Sequence, residues 1–290
     1  MKNNKKPVKS PLRYPGGKSK AVKTILPLIP VFDEYREPMV GGGSVFFAVK
    51  QRYPEKKYWI NDKNEELYRF WKVCRDNPRC MVAEIRKWKK EYGEKEEDGK
   101  RLYKYLVHDA ENLTIEQKAA RYFVLNRITF SGLAETGGYS AGSYLYRFTE
   151  SSINRIYMAS KILQGVKITN LDYSEVIQGD GEGVFIFLDP PYISKTRYKL
   201  YGKDGQLHKN FNHTEFAKNV EKCKHRWLIT YDDDEEVNKL FKFANGSKGK
   251  IYKWVHQYGT NSTYKDTAKK GNELFILNYN INEVQKRLNI

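Results

Sequence analysis

The sequence predicts an α/β fold in which one mostly parallel sheet is interrupted by a mostly helical, basic insertion. Three observations carry this expectation. The chain opens as strand–helix–strand–helix, short strands return with helices between them in the C-terminal part, and amphipathic helices rich in Lys, Arg and Tyr fill the middle. Strands that alternate with helical crossovers are the mark of a parallel sheet.

Taken in order, "YREPMV" (35–40) reads as a strand that runs into "GGGS", and "SVFFAVKQRY" (44–53) has apolar residues at helical spacing. "KKYWIN" (56–61) and "NEELYRFWKVCRD" (64–76) repeat the pair. From 77 to 164 the segments "MVAEIRKWKKEY", "GKRLYKYLVHDAEN" and "IEQKAARYFVLNRI" read as helices, followed by a Gly/Ser-rich loop (129–144). "TESSINRIYMASKIL" (149–163) is a helix with Thr149 as its N-cap. Strands return at 166–170, 184–188 and 226–232, with a helix at 214–223. "KIYKWVHQY" and "ELFILNY" are expected to close the sheet as an antiparallel edge. The expected division is a catalytic domain of 1–76 and 165–290 around a helical domain of 77–164.

Composition limits the function. The chain has 290 residues and is 40% hydrophobic, enough for a sizeable core. No apolar run reaches the roughly 18–20 residues of a membrane helix. The basic start "MKNNKKPVKS" lacks the apolar stretch of a signal peptide. Three cysteines without metal-ligand spacing, and five scattered histidines, point to a metal-free protein of the reducing cytoplasm. A net charge of +17 favours a polyanionic partner, and nucleic acid is the commonest in that compartment.

Three motifs carry chemistry. In "EPMVGGGSVFF" (37–47), Gly41 and Gly43 permit a tight turn between a strand and a helix, and Asp62 ends the next strand. A carboxylate there can accept from both hydroxyls of a ribose. Without a third glycine at the usual spacing, a nucleoside cofactor and a plain glycine turn both stay open. "PLRYPGGKSK" (11–20) is a second glycine turn with Lys18 behind it, suited to a simple turn or to a cofactor's carboxylate. The third is "FIFLDPPYIS" (185–194), a buried strand ending in an acid, two prolines and a tyrosine. Prolines lack N–H groups and fix φ, so the carbonyls here are free and rigid. Asp189 and such a carbonyl can accept both protons of an exocyclic amino group while Tyr192 lies flat on its ring.

The pieces "PLRYPGGKSK", "EPMVGGGSVFF", "INDKN", "LNRITFSGL" and "FLDPPY", in that order, resemble the D12 class of DNA adenine-N6 methyltransferases, the Dam-type enzymes of the α group. The resemblance covers nearly the whole chain. It implies a Rossmann-like sheet that binds S-adenosylmethionine (AdoMet), with the insertion recognising DNA. By the same resemblance Tyr14, Gly17 and Lys18 contact the cofactor, and Glu37, Pro38, Gly41 and Gly43 shape its methionine pocket. Asp62 binds its ribose, Asp172 and Tyr173 lie at its adenine, and Asp189 also borders it. Asp189, Pro190, Pro191 and Tyr192 hold the target adenine. Arg13, Asn126, Arg127, Phe130 and Ser131 meet DNA.

Two departures stand out. Met39 replaces the family's usual Phe, and Phe130-Ser131-Gly132 replaces the Tyr-Asn-Gly of Dam-type enzymes, so the GATC site is not carried over. The expected reaction is direct methyl transfer to N6 of an adenine flipped from the duplex, since a stacked base is out of reach. Phe130 is expected to fill the gap that the flipped base leaves. The partner expectations are double-stranded DNA, no membrane, a monomer and a cognate restriction-endonuclease system. The residues alone leave open a methyltransferase for RNA or cytosine N4, and an inactive DNA-binding relative.

Overall fold

The computed structural model describes residues 7–193, 210–244, 250–257 and 270–281. Residues 1–6, and Tyr258 at the expected end of the penultimate strand, lie outside the described residues. The sheet has seven strands: β1 (Glu34–Glu37), β2 (Lys57–Asn61), β3 (Lys167–Thr169), β4 (Val184–Leu188), β5 (Arg226–Asp232), β6 (Lys250–Gln257) and β7 (Lys270–Leu277). Their order is β3-β2-β1-β4-β5-β7-β6. The first five are parallel, and β7 runs antiparallel to both β5 and β6. The antiparallel edge expected from the last two strands is present, with β7 inserted between β5 and β6.

Strand order reverses between β1 and β4, which pair with Glu34 opposite Val184. In open α/β sheets a ligand crevice lies outside the carboxyl ends of the strands at this point. Glu37 ends one of these strands and Leu188 the other. All five residues of β4 are buried, as a strand covered on both faces requires. Alternate side chains divide between two cores: Phe185 and Phe187 join Tyr35 and Phe46 on one face, and Ile186 and Leu188 join Ile229 and Tyr231 on the other.

Helix α1 (Val22–Ile25) precedes β1, α2 (Ser44–Arg52) leads to β2, and α3 (Glu65–Asp76) leads into the insertion. Asn64 caps α3, its Oδ1 accepting from the amides of Glu66 and Leu67. The insertion contains α4 (Pro78–Tyr92), α5 (Glu96–Lys104), α6 (Ile115–Ile128), α7 (Ala141–Arg147) and α8 (Glu150–Leu163). Thr149 caps α8 as expected, accepting from the Ser152 amide. Two details differ from expectation. The helix expected to reach 112 continues past Lys104 only as a π-type turn, Tyr105–Asp109. The Gly/Ser-rich stretch expected to be loop through 144 already contains the start of α7, with the Ser140 side chain accepting from the Ser143 amide. A Ser at the cap position outweighed the glycine nearby.

Packing crosses the position of the division expected at 76/77. Phe70 of α3 stacks on Phe123 of α6, with ring centroids 6.2 Å apart and planes at 11°. The same apolar cluster runs from Tyr35 and Phe185 at the sheet to Ile153 and Ile156 in α8. Sheet and insertion thus share one core.

Asn126, expected at DNA, is fully buried. Its Oδ1 accepts from the Arg13 amide at 2.9 Å, and its Nδ2 donates to the carbonyls of Arg13 (2.6 Å) and Gly132 (2.8 Å). Arg127 is 4% exposed, donates to the Pro11 carbonyl and lies over the Phe123 ring. Side-chain amide and guanidinium here tie the N-terminal segment to the end of α6. Replacing Asn126 by Ala should leave buried backbone groups of Arg13 and Gly132 without partners. The expected loss is about 2 kcal/mol or more in denaturant unfolding; an unchanged midpoint would mean that other contacts hold the segment.

Candidate active site

A cavity of about 690 Å³ opens where strand order reverses. Its walls bring together every residue expected at cofactor or target base: Tyr14, Gly17 and Lys18; Glu37, Pro38, Gly41 and Gly43; Asp62; Asp172 and Tyr173; and Asp189, Pro190, Pro191 and Tyr192. The five residues expected at DNA are not among its lining.

The glycine turn is shaped by a neighbour. Gly41 has φ +47°, where L side chains are strained, and a Cβ there would stand 2.8 Å from Cε1 of Tyr14. A Cβ on Gly42 would stand 2.6 Å from the Tyr14 Cβ. The turn is therefore glycine-rich because the Tyr14 side chain packs directly on its backbone. Gly43, with φ +67°, is the N-cap of α2, and no side chain caps that helix.

Asp62 anchors the turn. Its Oδ2 accepts from the Gly41 amide at 2.9 Å and its Oδ1 from the Asn64 amide at 3.0 Å. Burial pushes its pKa up to about 6 despite these two bonds, which favour the charged form. Asp172 caps the short helix α9 (Tyr173–Gln178) and lies 3.6 Å from the Lys63 ammonium. Tyr173 packs against Phe211 and Phe216.

Asp189 occupies the opposite wall. Lys18 Nζ approaches its Oδ1 at 2.7 Å, and the Thr230 hydroxyl donates to the same oxygen at 2.7 Å. Lys18 also donates to the Gly16 carbonyl at 3.1 Å and lies 4.7 Å from the Tyr192 ring centroid. Lys18, expected at the cofactor, is thus 6% exposed and held by the carboxylate expected to grip the base. Tyr192 stacks on Tyr231 with centroids 5.8 Å apart at 26°.

Sequence reading missed several of these neighbours. Thr230 and Tyr231 lie on β5, whose register sets Ile229 beside Leu188, so they flank Asp189 only through strand pairing. Asn210, Phe211 and Asn212 also line the cavity. Asn212 caps α10 (His213–Glu221), a cap signal that was legible in "NHTE".

Glu37 is buried against this site, with the Tyr35 hydroxyl donating to its Oε2 at 2.6 Å. Burial pushes its pKa up from 4.5 to about 8; the Tyr35 bond opposes the shift, and the negative charges of Asp189 and Asp62 add to it. A raised folded-state value means stability that is complete below about 4.5 and is lost as pH rises through about 8. Thermal unfolding of the free protein should therefore shift downward across that window. Glu37→Gln, neutral throughout and still able to accept from Tyr35, should flatten the dependence. Equal slopes for both proteins would show that another acid is responsible.

The family model for the D12 class N6 adenine-specific DNA methyltransferases matches residues 14–273. Type II methyltransferase M.MjaIII of Methanocaldococcus jannaschii is 28% identical over 94% of this chain and 99% of its own length. Type II methyltransferase M1.LlaDCHI of Lactococcus lactis subsp. cremoris is 25% identical over 96% of this chain and 98% of its own. Among solved structures, a SAM-dependent O-methyltransferase of Thermotoga maritima overlaps 91% of this chain and 65% of its own at a TM-score of 0.39 and 12% identity, too loose a fit to bear on the chemistry. The family match spans the glycine turn, the insertion and the Asp189 wall together. The chain belongs to the D12 class of N6 adenine-specific DNA methyltransferases and is an AdoMet-dependent enzyme.

Proposed function

We propose that this cavity holds AdoMet and an adenine turned out of duplex DNA side by side, and that Asp189 to Tyr192 grip the adenine. The observation that carries the reading is the meeting, at one switch point, of the glycine turn, Asp62 and the Asp-Pro-Pro-Tyr wall. The residues fit the cofactor. The glycine turn and the Tyr14 side chain packed on it line the cavity together, and Asp62 keeps unused lone pairs for ribose hydroxyls. The volume also lies within the range of nucleotide-sized ligand sites. When bound, AdoMet supplies a methyl group already activated by a sulfonium.

The protein's remaining task is to make N6 nucleophilic and to aim it. The N6 lone pair of adenine is delocalised into the ring. Accepting its two protons at Asp189 and at the Pro190 carbonyl favours a tetrahedral nitrogen with the lone pair turned out of the ring plane. Thr230 and Lys18 both bind Oδ1 of Asp189, which leaves Oδ2 for the substrate. Tyr192, backed by Tyr231, offers a flat surface for the flipped ring. Fixed dipoles of this kind need no rearrangement as charge develops. Methylation leaves N6 with one proton to lose, and Asp189 is its first acceptor.

On the DNA side, Phe130 is 60% exposed, and the loop that bears it packs on Arg13, next to Tyr14 of the cavity wall. That placement supports Phe130 as the wedge that fills the gap, with Ser131 beside it. We extend the proposal to a modification role beside a cognate restriction endonuclease, which the type II naming of the two relatives supports.

Asp189→Ala should lower methyl transfer by about a thousandfold or more while changing AdoMet affinity only a few fold. Tritium transfer and equilibrium binding on one preparation test this, and retained turnover would sink the assignment. Phe130→Ala should slow methylation of a paired adenine but spare one opposite a mismatch, which costs less to extrude. Equal losses on both substrates, with a lowered melting temperature, would make Phe130 structural.

A further inference from the structure

We infer that Arg147 and Arg155, together with Arg13, form the surface that holds the phosphates of duplex DNA. This inference rests on the DNA-side reading above. It moves the contact away from the buried Asn126 and Arg127 to residues that the sequence motifs did not single out.

The geometry begins with Arg13. Its Nη1 donates to the carbonyls of Arg127 (3.4 Å) and Thr129 (3.3 Å) and to Ser143 Oγ (3.1 Å). Ser143 and Arg147 are one turn apart on α7 and share a helix face, so Arg147 lies on the side that Arg13 approaches. Arg155 lies in the second turn of α8, and both Arg147 and Arg155 are exposed. Arg127 is the buried hub: after burial, the positive charges of Arg155, Arg13 and Arg147 all push its pKa down.

Four guanidinium groups therefore gather with little to neutralise them. Among the described residues Arg147 and Arg155 take part in no ion pair. Glu150, the acid between them in sequence, is bound instead by Arg86 of α4 at 3.0 Å. Interactions within the fold account for Arg13, whose guanidinium binds carbonyls at the end of α6, and for Arg127, which is buried. They do not account for Arg147 or Arg155. Like charges held together at a surface raise the local potential and attract a polyanion, and guanidinium pairs with phosphate in bidentate geometry. Tyr146, next to Arg147, is 75% exposed and carries a hydroxyl that can donate to a phosphate oxygen. The cluster also adjoins the Phe130 loop, since Arg13 binds the Thr129 carbonyl and the Ser140 amide donates to Ile128. Phosphate contacts beside a base-flipping wedge would fix the register of the duplex without reading its sequence.

The test is duplex binding by the full chain between about 50 and about 200 mM salt, with AdoMet-dependent turnover measured alongside. Each lost phosphate contact lowers the log–log salt slope by about 1, so Arg147→Ala/Arg155→Ala should lower it by about 2. The loss should be similar for duplexes of different sequence, and Arg147→Lys/Arg155→Lys should restore most of the slope. Arg79→Ala/Lys90→Ala on α4 removes the same charge elsewhere and should leave the slope unchanged. An unchanged slope in the folded Arg147/Arg155 variant, or an equal fall in the α4 control, would overturn the inference. Absence of methyl transfer by every protein, the unaltered chain included, would instead count against the functional reading.

Discussion

The peptide group of Gly41 is the point on which the site depends. Its amide donates to Asp62 at the end of β2, and its carbonyl accepts from Trp71 Nε1 of α3 at 3.1 Å. The absence of a Cβ leaves room for the Tyr14 ring. One residue thus ties together the N-terminal turn, the second strand and the helix that leads into the insertion. A side chain at this position would collide with Tyr14 and strain a left-handed backbone at once, so the constraint is steric before it is chemical.

The electrostatics of the cavity follow from what surrounds that turn. Glu37 and Asp62 are both buried, and burial pushes both carboxyl groups toward the neutral form. Asp189 instead keeps a cation beside it in Lys18. A cavity lined by five acids, Glu37, Asp62, Asp172, Asp189 and Glu215, against the two lysines Lys18 and Lys63 suits a ligand that brings positive charge of its own, as a sulfonium does. The cost of burying Glu37, Asp62 and Asp189 is partly offset by Tyr35, Thr230 and the backbone amides that bind them.

The outside of the protein has the opposite sign. The net charge of +17 belongs to a chain whose cavity is acidic, so the basic excess lies away from the reaction site. The helical insertion is not an appended module, because its α6 and α8 share a core with α3. Rigid coupling of this kind fixes the distance between the proposed DNA-holding surface and the proposed base-gripping wall, and methyl transfer depends on such alignment.

The sequence by itself determined the strands of the parallel sheet, the longer helices between them, the cap at Thr149, and the motif residues that line the cavity from five separate segments. Those features are local: strand periodicity, cap chemistry and short motifs act over a few neighbouring residues. Only the tertiary structure decided what depended on pairing distant segments. Thr230 and Tyr231 reach Asp189 and Tyr192 because β5 pairs with β4, and Lys18 meets Asp189 across 171 residues of chain. Asn126 and Arg127 sit in a motif that reads as a DNA contact, yet α6 turns them into the core to bind Arg13 and Pro11. Which face of a helix packs inward is set by all the neighbours together, so two polar residues in "LNRI" became internal braces while Arg147 and Arg155 stayed outside.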